Sequence, residues 1–81
     1  MNLGVDTIKD KKVGYLNPTF EQNDEVAARN FVHAVQTSGT ILTSHREDFA
    51  LYRLGMFDTQ VARFTLGDVP ELVVDGGDVS E

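Results

Sequence analysis

An 81-residue chain without cysteine has room for one core and no disulfide or thiolate zinc site to hold it, so packing and self-association must supply its stability. Its apolar fraction of 41% and charged fraction of 25% exclude a disordered chain, and no run nears the ~20 apolar residues of a membrane span. The net charge of −6 is uneven: Asp68, Glu71, Asp75, Asp78 and Glu81 follow Gly67 with no base among them, so the body is nearly neutral and lacks the broad basic footprint of a typical nucleic-acid binder.

The first twelve residues carry Asp6 and Asp10 and no continuous apolar run, which fits neither a signal nor a transit peptide; a cytoplasmic protein is the expectation. Leu3 to Lys9 mixes β-branched and polar residues, Asp10-Lys11-Lys12 interrupts it, and Val13 to Leu16 resumes, which predicts a hairpin with a polar turn. Asn17-Pro18 then closes the second strand, and residues 17–20 read as an extended connection because proline lacks an amide donor and biases its predecessor away from helix.

Asn23 is a good N-cap, and Asp24 and Glu25 suit the positive end of a helix dipole. The helix that follows has an apolar stripe of Ala28, Phe31, Val32 and Val35 and a polar face of Glu25, Arg29, His33 and Gln36; Ser38-Gly39 ends it. Thr40 to Glu47 reads as a polar connection anchored by Ile41 and Leu42.

Asp48 to Phe57 is a long strand, Asp58-Thr59 a two-residue turn, and Gln60 to Leu66 a returning strand. That turn sets Leu51 opposite Leu66, Arg53 opposite Phe64 and Leu54 opposite Arg63. One face then carries Phe49, Leu51, Phe57, Ala62, Phe64 and Leu66, the other Tyr52, Leu54, Met56, Val61 and Arg63. After Pro70, Leu72 to Val74 offers a short last strand, and Gly76-Gly77 opens an acidic tail over 76–81 that is expected to fray.

The expected fold is α+β: a small antiparallel β-sheet with one helix packed on one face, order β-β-α-β-β, with the short C-terminal strand as an addition, in a single domain over residues 1–75. A lone helix covers one sheet face, so Tyr52, Leu54, Met56 and Val61 are expected to face another copy of the chain or a protein partner.

Little in the sequence points to catalysis. His33 and His45 lack a second ligand at helical spacing, no phosphate-binding or nucleophile motif occurs, and Glu47-Asp48 suits a solvated turn better than an acid/base pair. The expectation is therefore no enzyme, no metal and no cofactor. Lys9, Lys11 and Lys12 beside Tyr15 are the densest basic cluster, where lysines can meet phosphates and the ring can stack on a base. Arg53 and Arg63 near Tyr52 are a second candidate contact. On residues alone, a charged hairpin turn is the commoner reading of the lysines, and the arginines are as well explained by packing of their stems.

The order Asp10-Lys11-Lys12, Gly14-Tyr15, Pro18, Phe20, Asn23-Asp24-Glu25-x-Ala27-x-Arg29-x-Phe31 and Asp48-Phe49-x-Leu51-Tyr52-x-Leu54-Gly55-x-Phe57-Asp58 resembles the small non-structural protein of gokushoviruses, single-stranded DNA phages of the microvirus family. The likeness runs from about Lys9 to Pro70. It implies a phage early protein, often labelled DNA-binding, working in the host bacterial cytoplasm and compared by genome position with the microvirus protein that switches replication to single-strand synthesis and packaging. The chain departs from that pattern at Ser44-His45-Arg46, where a proline is usual, and after Asp58, where the turn is short and lacks its usual glycine.

Taken together, the expected role is a homo-oligomeric, DNA-associated accessory of viral single-stranded DNA replication or packaging. The alternative is a module that docks on the viral replication initiator or a host replication protein without touching DNA. One further expectation follows from charge: the acidic tail folds over the lysine cluster and competes with phosphate.

Overall fold

The long first strand, β1 (Asn2–Asp10), organises everything else in the computed structural model, which describes residues 1–80. Along one edge β1 pairs with β4 (Phe49–Asp58); along the other it pairs in turn with β2 (Gly14–Tyr15) and β3 (Thr19–Glu21). The outermost strand is β5 (Arg63–Asp75), so the antiparallel sheet runs β2-β1-β4-β5 with β3 beside β1. The Asp10 carboxylate accepts from the Lys12 backbone N–H at 2.9 Å and shapes the polar turn of the first hairpin.

Helix α1 (Asp24–Thr37) begins where its cap requires: Asn23 Oδ1 accepts from the Val26 N–H at 2.8 Å. It stops where Gly39 takes the left-handed φ of 68° that a side chain disfavours. Its buried residues are Ala27, Phe31 and Val35, with Val32 half-buried, so the buried stripe is centred nearer Ala27 than the Ala28 that periodicity favoured. They meet Phe49 and Leu51 of β4 and Val79 near the C-terminus, and Ile8, Leu42, Val73 and Val74 close the margin of that core. Each large side chain buried there contributes about 1.5–3 kcal/mol.

The element order and the helix-on-sheet architecture match the sequence expectation; several local readings do not. The segment 40–47 is not plain coil but a short helix α2 (Ile41–Ser44) followed by a 3-10 turn (Arg46–Asp48). The β4–β5 connection is four residues long, because Asp58 pairs with Arg63. Leu51 therefore faces Val74 rather than Leu66, Arg53 faces Glu71 rather than Phe64, and Phe57 faces Phe64. The short last strand is not separate but continues β5 through Pro70.

Two irregularities explain why simple alternation assigned the faces wrongly. Between Arg53 and Gly55 the β1–β4 register slips by one, leaving Leu54 as a bulge, and residues 67–70 of β5 swell out opposite the same point. One extra residue inverts every side chain beyond it. Phe49, Leu51 and Arg53 consequently share the helix side, whereas Tyr52 and Phe57 register with Thr7 and Leu3 on the outer side.

The C-terminus also differs from expectation over residues 76–79; Glu81 lies outside the described residues. Asp75 Oδ1 accepts from the Gly77 N–H at 2.8 Å, a 3-10 turn covers Gly76–Asp78, and Val79 is 8% exposed within the core. Gly76 is buried so tightly that a Cβ there would collide with the carbonyl oxygens of Arg46 and Phe49. This segment docks because it carries one apolar side chain to a gap beside α1, and only its polar residues suggested fraying.

Candidate functional site

The sheet face turned away from α1 is the outstanding feature of the surface. Of the 5 Phe and 2 Tyr, Phe31 and Phe49 lie in the core; the others all register on this outer side. They form two groups. Tyr15 meets Tyr52 edge to face with centroids 5.6 Å apart, and Lys9 Nζ stands 5.2 Å from the Tyr15 ring centroid. Phe57 lies 4.7 Å from Phe64 and 5.3 Å from Phe20, with Leu66 next to Phe64 along β5. Tyr15, Phe20 and Phe64 are 49%, 51% and 52% exposed, and Leu66 and Leu72 are exposed further.

Local sequence explains the placement. Alternation along β1 puts Leu3, Val5, Thr7 and Lys9 on the outer side, and the short strands β2 and β3 bring Tyr15 beside Lys9 and Phe20 beside Val5. Lys12, at the exposed tip of the first hairpin, borders the Tyr15 end.

The DNA-contact candidates separate into free and engaged groups. Lys9 and Tyr15 stay together at one end of the outer face, and Lys12 sits at the exposed hairpin tip beside Ile41 and Phe49. Lys11 turns away: its Nζ donates to the Asp75 carboxylate at 2.9 Å and to the Glu47 carbonyl at 2.8 Å. The Asp75 carboxyl is held below its ordinary range by that lysine first and by the Gly77 N–H second. The acid that reaches the lysine cluster is thus Asp75, just ahead of the tail.

Arg53 is withdrawn from the surface. Its Nε donates to Asp6, which is fully buried on β1, and its Nη2 lies 2.6 Å from Asp24 Oδ1 at the start of α1. Burial pushes the Asp6 carboxyl above its ordinary value, and the hydrogen bond and charge of Arg53 work against that rise. Gly4 makes room for this arrangement, since a Cβ there would overlap the Arg53 guanidinium. The arginine pins strand to helix, and its guanidinium faces two carboxylates rather than solvent. Arg63 is exposed, opposite Asp58 at the far end of β5 from Lys9.

The expected partner face of Tyr52, Leu54, Met56 and Val61 does not exist as a unit. Tyr52 is on the outer side, Leu54 sits in the bulge, Met56 lies on the helix side with its Sδ 3.5 Å from Arg53 Nη1, and Val61 is in the four-residue turn. The apolar surface itself is present, but Phe20, Phe57, Phe64, Leu66 and Leu72 build it. Sequence reasoning missed Phe20 altogether because it treated 17–20 as connection; the alternation Thr19-Phe20-Glu21 next to Pro18 was the available signal.

Beneath the opposite side, between α1 and the sheet edge, lies an open cavity of about 640 Å³ floored by Ile8, Phe31 and Leu51 and bordered by Asn17, Glu21 and Asn30. His33 is exposed on α1, whereas the His45 ring, beyond α2, is bonded through Nδ1 to its neighbour Ser44 at 2.8 Å. Among the described residues no helix is long and apolar enough to cross a membrane, and no group of three or more His, Asp or Glu converges as a metal site.

No curated protein and no solved structure matches the chain. A family model does, over nearly its whole length: residues 3–79 match the Phage ORF5 protein, and the chain belongs to that phage protein family.

Proposed function

We propose that this protein is a non-enzymatic accessory of single-stranded DNA replication or packaging in a gokushovirus-type phage, acting in the host cytoplasm as an oligomer that holds single-stranded DNA. The observation that carries this reading is the outer sheet face, where the half-exposed Tyr15 and the adjoining Tyr52 stand beside Lys9, with the exposed Lys12 at the tip of the same hairpin. Bases stack on exposed rings whatever their sequence, and nearby lysines meet the phosphates. An acidic protein has few such cations per copy, so oligomerisation joins weak patches into useful avidity.

Fluorescence anisotropy with single-stranded and duplex oligonucleotides at two salt concentrations tests it. Single strands should bind more tightly, and replacing Lys9 and Lys12 with alanine should flatten the salt dependence by about 0.7 per lost phosphate contact. Undetectable affinity at low salt, or affinity indifferent to Lys9, Lys12 and Tyr15, rejects the reading.

A second reading draws on the other end of the same face. Phe20, Phe57, Phe64 and Leu66 form an apolar surface whose nearest cation in the strand order is Arg63, which suits a protein partner such as the viral initiator or a host replication protein. Retained association with such a partner in a variant lacking DNA affinity would favour it.

A further inference from the structure

We propose that the cavity between α1 and the β1 edge is a pocket for one unstacked base of the bound strand, and that it selects guanine. The inference rests on the single-stranded DNA reading above and adds a second, base-selective contact to it.

The cavity exists because the partner strands of β1 are interrupted. Lys9 and Asp10 pair with β2, Gly4 to Asp6 pair with β3, and between them the chain loops away through Asn17-Pro18, with the Leu16 N–H to Ile8 carbonyl bond the last link before it leaves. The gap opens onto the helix side of the sheet, where small Ala27 and Ala34 of α1 leave the space unfilled. A volume of about 640 Å³ lies within the range of small-molecule sites and has room for a base with its sugar. Its floor of Ile8, Phe31 and Leu51 is apolar, as the face of a base requires.

The mouth supplies a hydrogen-bonding edge. Glu21 is fixed by two donors: Thr19 Oγ1 donates to Oε2 at 3.1 Å, and Asn30 Nδ2 donates to Oε1 at 3.2 Å. Each carboxylate oxygen keeps a further lone pair, so the group presents two parallel acceptors in a set orientation. Among the four DNA bases, guanine alone offers two adjacent donors on its Watson–Crick edge, N1–H and N2–H. Thymine offers one donor between two carbonyls, and adenine and cytosine each set one amino donor beside an acceptor nitrogen that the carboxylate repels. The second amide hydrogen of Asn30 is left for guanine O6. Tyr15 belongs to the edge strand β2 that borders the cavity, while its ring lies under Lys9 on the outer face, so a strand held at Lys9 and crossing that edge has a base within reach of the opening.

The test uses the full chain and labelled 16-mers of thymidine carrying one central dG, dA, dC or dT. The dG oligonucleotide should bind at least about fivefold more tightly than the other three, the least that a well-formed bidentate contact supplies. Glu21→Gln, which keeps the shape but replaces one acceptor by a donor, should bring the dG oligonucleotide to the level of the dT one without weakening dT binding. Methyl groups of Ile8 and Leu51 should shift in NMR spectra with the dG strand and not with the dT strand. Free dGMP should displace only that extra affinity, which separates the base from its strand. Equal affinity for all four strands, or a dG preference that survives in Glu21→Gln, overturns the pocket while the dT strand still reports on general binding. Failure of the dT strand alone rejects the stacking face, and failure of every strand rejects both.

Discussion

Ala62 has φ of 56°, a left-handed conformation in which a Cβ costs roughly 1–2 kcal/mol. It closes the β4–β5 turn, where a glycine would take the same conformation without that cost. Ala62→Gly should therefore raise stability by about 1 kcal/mol in urea unfolding, partly offset by the freedom glycine gains in the unfolded chain. Arg53 presents the opposite case, a residue without a substitute. Removing it leaves Asp6 buried and unpaired, and Arg53→Ala should cost about 3 kcal/mol in the same measurement. Any loss of DNA affinity in that variant should vanish wherever the chain remains folded, because the arginine faces carboxylates and not solvent.

At the scale of elements, the C-terminal segment behaves as a latch. Val79 enters the core, while Asp75 ties the turn before it to Lys11 and to the Gly77 N–H. The folded Asp75 carboxyl is depressed, so its contribution is complete above the ordinary carboxylate range and is lost as pH falls through the depressed value, below about pH 4. Both partners are partly exposed, so solvent screening keeps the contribution small. The protection of the Gly77 and Val79 amides against exchange, relative to an unfolded chain at the same pH, should fall on acidification before that of the β1–β4 amides, and Asp75→Asn should show the reduced protection already at neutral pH. Exchange at Val79 that is unaffected by Asp75→Asn would show that the apolar contact alone holds the latch. Removing residues 76–81 to free the lysines for DNA would also take Val79 from the core, so substitution at Asp75 is the cleaner way to expose Lys11.

For the whole molecule, the outer face sets the need for company. An aromatic side chain presents about 150–250 Å², and Tyr15, Phe20 and Phe64 each leave close to half of theirs in solvent, with Leu66 and Leu72 beside them. Together they leave several hundred Å² of apolar surface on one sheet face, which reaches the upper range for a lone monomer. Phe64→Asp and Leu66→Asp should each reduce the mass measured by light scattering to that of one chain while leaving the melting temperature of the monomer within a few degrees, since neither side chain supports the core. Unchanged mass in both variants, or a monomer in the unsubstituted protein at high concentration, would count against self-association through this face. The edge of β5 is a poorer meeting point: the swelling at residues 67–70 carries Asp68 and Pro70, which discourage strand addition.

The sequence by itself determined α1 to within a residue, because Asn23, the apolar spacing around Phe31 and Val35, and Gly39 act locally. It also determined the strands other than β3 and the surplus of apolar side chains over what one helix can cover. Only the tertiary structure decided which side chains form that surplus. The bulge at Leu54 and the four-residue turn are chosen by the pairing of β4 with two neighbours at once, and each changes register for every residue beyond it. The fate of the charges was decided in the same way: Arg53 and Lys11 look as free as Lys9 in the sequence, yet their partners Asp6 and Asp75 lie 47 and 64 residues away. Hydrogen bonds across such separations depend on how the strands assemble, which no local pattern of residues encodes.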